Sequence, residues 1–167
     1  HWPVTAVAFH GEWIFSASAD KSICVWDLGT LERVGVIDLH HRDEINCLAV
    51  GAGGFDMMLF SGSNDHTIKA YNISPDIVAS GKTVPCVHTI THHQAPVTCL
   101  LTQRFYPEDE YSNAVRGWRL YSGSADCTIQ VLEAVFIGKG GLLPDDPQPF
   151  GVLRGHTSTV TTLAVAR

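Results

Sequence analysis

Apolar residues gather along this chain in short runs separated by polar turn formers, and four of the runs share a spelling: VTAVAF from Val4, INCLAV from Ile45, VTCLLT from Val97 and VTTLAV from Val160. Apolar side chains stand at successive positions instead of alternating, the pattern of strands covered on both faces of a sheet. A second spelling recurs between them. FSASADKSICVWD at 15–27, FSGSNDHTIKAYN at 60–72 and YSGSADCTIQVLE at 121–133 share an aromatic residue, a Ser-small-Ser triplet, an Asp and an apolar run led by Ile. Asp20, Asp65 and Asp126 are 45 and 61 residues apart, which are repeat-sized periods. Each unit therefore predicts four short strands: the V/I-led run, the stretch ending in the triplet, the segment SICVWD, TIKAYN or TIQVLE, and a closing RVGVI, CVHTI or FGVL. Units of about 1–39, 40–91 and 92–153 follow, with the first strand of a further unit in 154–167.

The combination of Gly155-His156, the triplet with its Asp, and Trp26-Asp27 resembles the WD40 repeat, and the resemblance covers essentially the whole chain. It implies an all-β fold, a partial β-propeller of about three complete four-stranded blades plus the start of a fourth. In that family a His ahead of the first strand, a Ser or Thr on the second, the turn Asp and a third-strand Trp form a hydrogen-bonded chain. The resemblance assigns these roles to Ser16, Asp20 and Trp26 in the first unit; to His41, Ser61, Asp65 and Tyr71 in the second, with Tyr in place of Trp; and to His93, Ser122 and Asp126 in the third, where Leu132 has no hydrogen to donate. His156 opens the fourth. An Asp at a tight turn accepts backbone N–H groups and holds an imidazole N–H as well, so these residues read as fasteners of the blade. Three units do not close a ring of four to eight blades, so more chain is expected to complete it, other copies or partners being the alternative.

Composition narrows the function. The 167 residues are 45% hydrophobic and 17% charged, enough for a packed core. A net charge of −6 with no Lys/Arg cluster disfavours nucleic acid as partner. No apolar run is long enough to span a membrane and no secretory leader opens the sequence, while a first residue other than Met points to a segment of a longer protein. The five cysteines show no metal-binding spacing, and Cys47 and Cys99 hold matching places in INCL and VTCL, as small buried apolar residues do. A reducing, intracellular setting, cytoplasmic or nuclear, is the expectation.

Catalysis finds no support in the motifs. There is no G-x-S-x-G elbow, and three near-equivalent Ser, His and Asp sets suit a repeated structural device better than an enzyme. SGKT at 80–83 lacks the first Gly of a phosphate loop, Asp76 standing there, and the Gly-rich GAGG and GKGG stretches miss the dinucleotide pattern. The pairs His40-His41 and His92-His93 point to opposite sides of a strand edge, so no metal and no cofactor is expected.

Function is expected where the units differ. Units two and three carry insertions at 73–85, 103–118 and 135–149, after first or third strands, and an antiparallel meander brings all three to one edge. The second insertion mixes Phe105, Tyr106 and Tyr111 with Glu108, Asp109 and Glu110 and ends at Trp118; the third carries Leu142 and Leu143 beside an acidic, Pro-rich end. Aromatic and acidic groups together suit a basic protein segment. By resemblance the chain is a non-catalytic scaffold for protein–protein interaction within a larger complex. The alternatives are a substrate-receptor domain of a larger assembly such as a ubiquitin ligase and, third, RNA binding.

Overall fold

The computed structural model describes residues 2–38, 40–53, 56–79, 83–105, 117–135 and 148–164. Within them twelve strands form three four-stranded antiparallel sheets in meander order. The first comprises β1 (Val4–His10), β2 (Trp13–Ser18), β3 (Ile23–Asp27) and β4 (Arg33–Ile37); the second β5 (Ile45–Gly53), β6 (Asp56–Ser63), β7 (Ile68–Ile73) and β8 (Cys86–Ile90); the third β9 (Val97–Phe105), β10 (Gly117–Ser124), β11 (Ile129–Val135) and β12 (Gly151–Leu153). This is the all-β architecture of a partial propeller.

The sheets stack face to face, so both faces of the middle one are covered. Phe15, Ala17, Ile23 and Val25 of the first sheet pack on Leu59, Tyr71 and Ile73 of the second. Phe60, Met58 and Ala70, on the other face of the second sheet, pack on Val97, Leu120 and Leu132 of the third. Phe15 and Phe60 are wholly buried, and each such side chain contributes about 1.5–3 kcal/mol over an exposed one. In the middle sheet this covering accounts for the near-continuous apolar runs, whereas in the first sheet Val4, Val7 and Phe9 of β1 are exposed.

All three β2–β3-type hairpins turn identically. The second Ser of the triplet accepts an amide from three residues on, Lys21 to Ser18, His66 to Ser63 and Cys127 to Ser124, and donates its own amide to the carbonyl four residues on. The residue after the Asp takes a left-handed conformation, with φ of 74° at Lys21, 70° at His66 and 66° at Cys127. That left-handed step lets a three-residue loop follow the twist of its strands.

Neighbouring sheets are clasped by side chains at the second position of the inner strand. Thr5 donates to the carbonyl of Ile45, Asn46 to that of Val97 at 2.9 Å, and Thr98 to that of Val160. Val97, the first residue of β9, and Val160, at the matching place of the next unit, also press on the small residue of the preceding triplet. A Cβ built on Gly62 falls 2.6 Å from Val97 Cγ1 and 2.7 Å from Cys47 Sγ; one built on Gly123 falls 2.6 Å from Cys99 Sγ and 2.7 Å from Val160 Cγ1. Cys47 is the cross-strand partner of Gly62 and Cys99 of Gly123, whereas in the first sheet Ala6 is opposite Ala17. A larger thiol on one strand is matched by a missing methyl on the other.

Three stretches differ from the expectation. Residues 103–105 and 117–118, read as insertion, extend β9 and β10, because their backbone groups find partners across the hairpin: Phe105 pairs with Gly117 and Arg104 with Trp118. Within the insertion 73–85 a short helix, α1 (Pro75–Ala79), forms behind an N-cap, the Ser74 hydroxyl accepting the Ile77 amide at 3.3 Å. The run from Val160 makes no strand ladder through residue 164, since the second strand that pairs with its counterparts has no equivalent among the described residues; the Val160 amide instead donates to the Ser124 carbonyl.

Candidate functional site

Two groups of residues compete for a functional role: the polar networks at the hairpin turns and the edge that carries the insertions. The networks have the more enzyme-like chemistry.

In the second sheet the Asp65 carboxylate takes four donors. Oδ1 accepts the Thr67 amide at 2.9 Å and the Thr67 hydroxyl at 2.6 Å, and Oδ2 accepts His41 Nδ1–H at 2.9 Å and the Arg42 amide at 2.8 Å. Since a carboxylate only accepts, Nδ1 carries the hydrogen, and Nε2 is left to meet the Ser61 hydroxyl at 2.7 Å. Ser61 Oγ lies 3.4 Å from the Tyr71 hydroxyl. The third sheet repeats the set: Asp126 takes Thr128 twice, His93 at 2.8 Å and the Gln94 amide at 3.1 Å, while His93 Nε2 meets Ser122 at 2.8 Å. The chain stops there, because Leu132 packs into the apolar cluster where Tyr71 offers a hydroxyl. In the first sheet Trp26 Nε1–H donates to Ser16 at 2.8 Å, and the exposed Asp20 carboxylate accepts the amide and hydroxyl of Ser22. His156 is exposed.

Burial by itself raises the Asp65 carboxyl, but the bonds from His41, the Thr67 hydroxyl and the Arg42 amide outweigh it and hold the group well below the usual carboxylate range. The same contest, with Thr128 and then His93 as the main donors, brings Asp126 down to about 2. At Asp20 the Ser22 hydroxyl lowers the value. Burial pushes the Cys47 and Cys99 thiols and the Tyr71 phenol up, so these groups stay protonated. Ser61 and Ser122 have no exposed surface at all, which leaves a nucleophile at either position without a route to substrate. The networks tie the connections ahead of β5 and β9 to the hairpin turns of their sheets. Among the described residues no three His, Cys, Asp or Glu side chains converge as metal ligands.

Sequence reasoning missed several contributors. Ser18, Ser63 and Ser124 accept the amide of the following Asp, each at 3.1 Å. Thr67 and Thr128 supply half of the donors to their carboxylates, and Thr5, Asn46 and Thr98 clasp one sheet to the next. All recur at fixed offsets from the Asp or the inner strand, so alignment of the three units held the signal.

On the insertion edge, Gly117 pairs on one side with Phe105 and on the other with Val135. The ends of β9 and β11 and the start of β10 thus form one row, and the segments 106–116 and 136–147 both leave from it. Tyr106, Glu108, Asp109, Glu110, Tyr111, Leu142 and Leu143 lie outside the described residues; the backbones of Phe105 and Trp118 are strand positions beside the row. The remaining insertion has a packing role: Val78 of α1 and Val84 are buried against the first two sheets. His40 joins them, its Nε2–H donating to the Val84 carbonyl at 3.2 Å and its ring lying 5.5 Å from that of Tyr71.

Comparison with known proteins agrees with this geometry. The family model described as "WD domain, G-beta repeat" matches residues 1–27, 32–72 and 84–132. Coatomer subunit beta'-2 of Arabidopsis thaliana is 32% identical over 93 residues, 56% of this chain and 9% of its own length. Nuclear distribution protein PAC1 of Lachancea thermotolerans is 43% identical over 63 residues, 37% of this chain and 14% of its own. The chain thus spans a small part of these relatives. Among solved structures, the RRP9 WD40 repeats superpose with a TM-score of 0.67 at 21% identity, over 97% of this chain and 42% of that one. The computationally designed Ika4 protein superposes at 0.63 and 25% identity, over 99% and 81%.

Proposed function

The chain belongs to the WD40 repeat family, whose members generally act as protein-interaction scaffolds, and from that premise we propose that it is a non-catalytic scaffold presenting its insertion-bearing edge to a protein partner within a larger complex. The observation that carries this reading is the single row formed by Phe105, Gly117 and Val135. The segments 106–116 and 136–147 both begin at adjacent strand ends of that one sheet, and loops anchored on a rigid scaffold are the usual place for binding. One of them brings Tyr106 and Tyr111 with Glu108, Asp109 and Glu110, a composition that fits a basic segment of the partner. The sealing of Ser61 and Ser122 further supports a role without catalysis. No described helix is long and apolar enough to cross a membrane, and an intracellular setting, cytoplasmic or nuclear, accords with the free cysteines.

The test is charge reversal of Glu108, Asp109 and Glu110 together. Affinity capture from cell extract should lose the partner while the melting temperature stays at the parent value. Capture that survives the triple substitution removes this segment from the interface.

A further inference from the structure

On the edge opposite the insertions, where the loops after second and fourth strands emerge, the second sheet carries a notch of about 230 Å³. Arg42 enters it from the connection between β4 and β5, Lys69 from β7, Thr89 from β8 and Thr91 from the segment beyond. The Lys69 ammonium donates to the Thr89 hydroxyl at 2.9 Å, and among the described residues neither Lys69 nor Arg42 is paired with a carboxylate. Asp65 also borders the notch, but both its oxygens are filled by the four donors of the turn network, and the Thr67 hydroxyl is engaged there too. Two cations and the hydroxyls of Thr89 and Thr91 are thus gathered from separate elements around one small space.

The third sheet provides an internal control. Its matching cavity, about 390 Å³, has Gln94 where the second sheet has Arg42, Gln130 for Lys69, Val152 for Thr89 and Arg154 for Thr91. The register is the same, Lys69 pairing with Thr89 and Gln130 with Val152. In the first sheet Cys24 pairs with Val36 at that place. The His–Asp–Ser network is built alike in the second and third sheets, so the fold does not call for the cation and hydroxyl set; that set is peculiar to one sheet among the described residues.

We infer that this notch binds a phosphate monoester, carried on a phosphoserine or phosphothreonine of a protein partner. Cations and hydroxyls on different walls suit a tetrahedral group with several oxygens, where a planar carboxylate meets donors in one plane. The space admits one such group, and the cavity one sheet along, where Gln94 and Gln130 stand beside Arg154, lies in the path of a segment running across both. This site lies away from the insertion edge, so the two proposals stand or fall separately.

The experiment is a ¹⁵N–¹H NMR titration of the full chain at low ionic strength with three probes: inorganic phosphate, a short phosphoserine peptide and its unphosphorylated counterpart. Phosphate should give saturable shifts at Arg42, Thr67, Lys69, Thr89 and Thr91, weakened by salt. The phosphopeptide should bind more tightly and extend the shifts toward Gln94 and Gln130, and the unphosphorylated peptide should not bind. R42Q and K69Q should each weaken phosphate about tenfold. The pair K69Q/T89V copies residues the third sheet already carries and so should keep the fold while losing the site. Saturation absent, shifts mapping elsewhere, or unchanged affinity in K69Q/T89V overturns the site. A glutamate peptide competing equally well overturns the phosphate assignment, and a phosphopeptide no tighter than inorganic phosphate overturns the protein source.

Discussion

Substituting Gly62 by Ala tests the stacking of the sheets at its tightest point. The new methyl lies 2.6 Å from Val97 Cγ1 and 2.7 Å from Cys47 Sγ, closer than carbon and sulfur tolerate, and both neighbours are buried on strands with little freedom to withdraw. Overpacking of this kind costs about 1–3 kcal/mol. An Ala in a strand recovers about 0.5–1 kcal/mol of backbone entropy lost by Gly, and Gly62 has no left-handed φ to forbid it. Because the methyl meets both Val97 and Cys47 below 3 Å, the cost sits toward the upper half of its range, about 2–3 kcal/mol, and the net loss is about 1–2.5 kcal/mol, or roughly 2–10 °C in melting temperature for a chain of this size. The second substitution Cys47→Ala removes the sulfur and recreates the Ala6–Ala17 pair of the first sheet, so G62A/C47A should be more stable than the sum of the single changes allows. Urea and thermal melts of the four proteins make the cycle. A G62A protein as stable as the parent, or strictly additive changes, would refute the argument that thiol and methyl exchange volume across this pair.

Asp65→Ala should cost about 2–3 kcal/mol, since it strands the buried His41 and three further donors, whereas Asp20→Ala at an exposed turn without an imidazole should cost under about 1 kcal/mol; chemical denaturation of both variants checks the order. Asp65 and Asp126 both have folded values below the unfolded one, so the stability they contribute is complete above about pH 4 and declines as pH falls toward the folded value, about 2 for Asp126. An acid titration followed by circular dichroism should show that loss, and D65N should show less of it. Cys127→Gly relieves a left-handed non-glycine residue and should raise the melting temperature by about 1–3 °C, measured by calorimetry.

Much of the fold was legible because the units punctuate themselves. Asp20, Asp65 and Asp126 stand at equivalent hairpins, and the continuous apolar runs announced cover on both faces, which the second sheet has and β1 of the first, with Val7 and Phe9 exposed, does not. What stayed hidden depends on contacts between segments distant in the chain. The smallness of Gly62 and Gly123 has its reason in Val97 and Val160, residues of the following unit. Strand ends at Phe105 and Gly117 were read as loop because their polar and Gly-containing sequence carries no apolar pattern, while pairing across the hairpin alone makes them strand. Ser74-Pro75-Asp76 serves equally as a turn or as the start of a helix, and the burial of Val78 against the first two sheets favours the helix. The notch beside Lys69 was invisible for a related reason: its residues lie in three separate stretches of sequence, 40–42, 65–69 and 89–91, and meet only in the folded sheet.

Cross-linking mass spectrometry on the affinity-purified complex addresses the scaffold reading most directly. The account predicts that links to the partner concentrate at residues 103–118 and 135–149, above the row of Phe105, Gly117 and Val135. Links concentrated instead on the outer strands β4, β8 and β12, with those two segments silent, would contradict it.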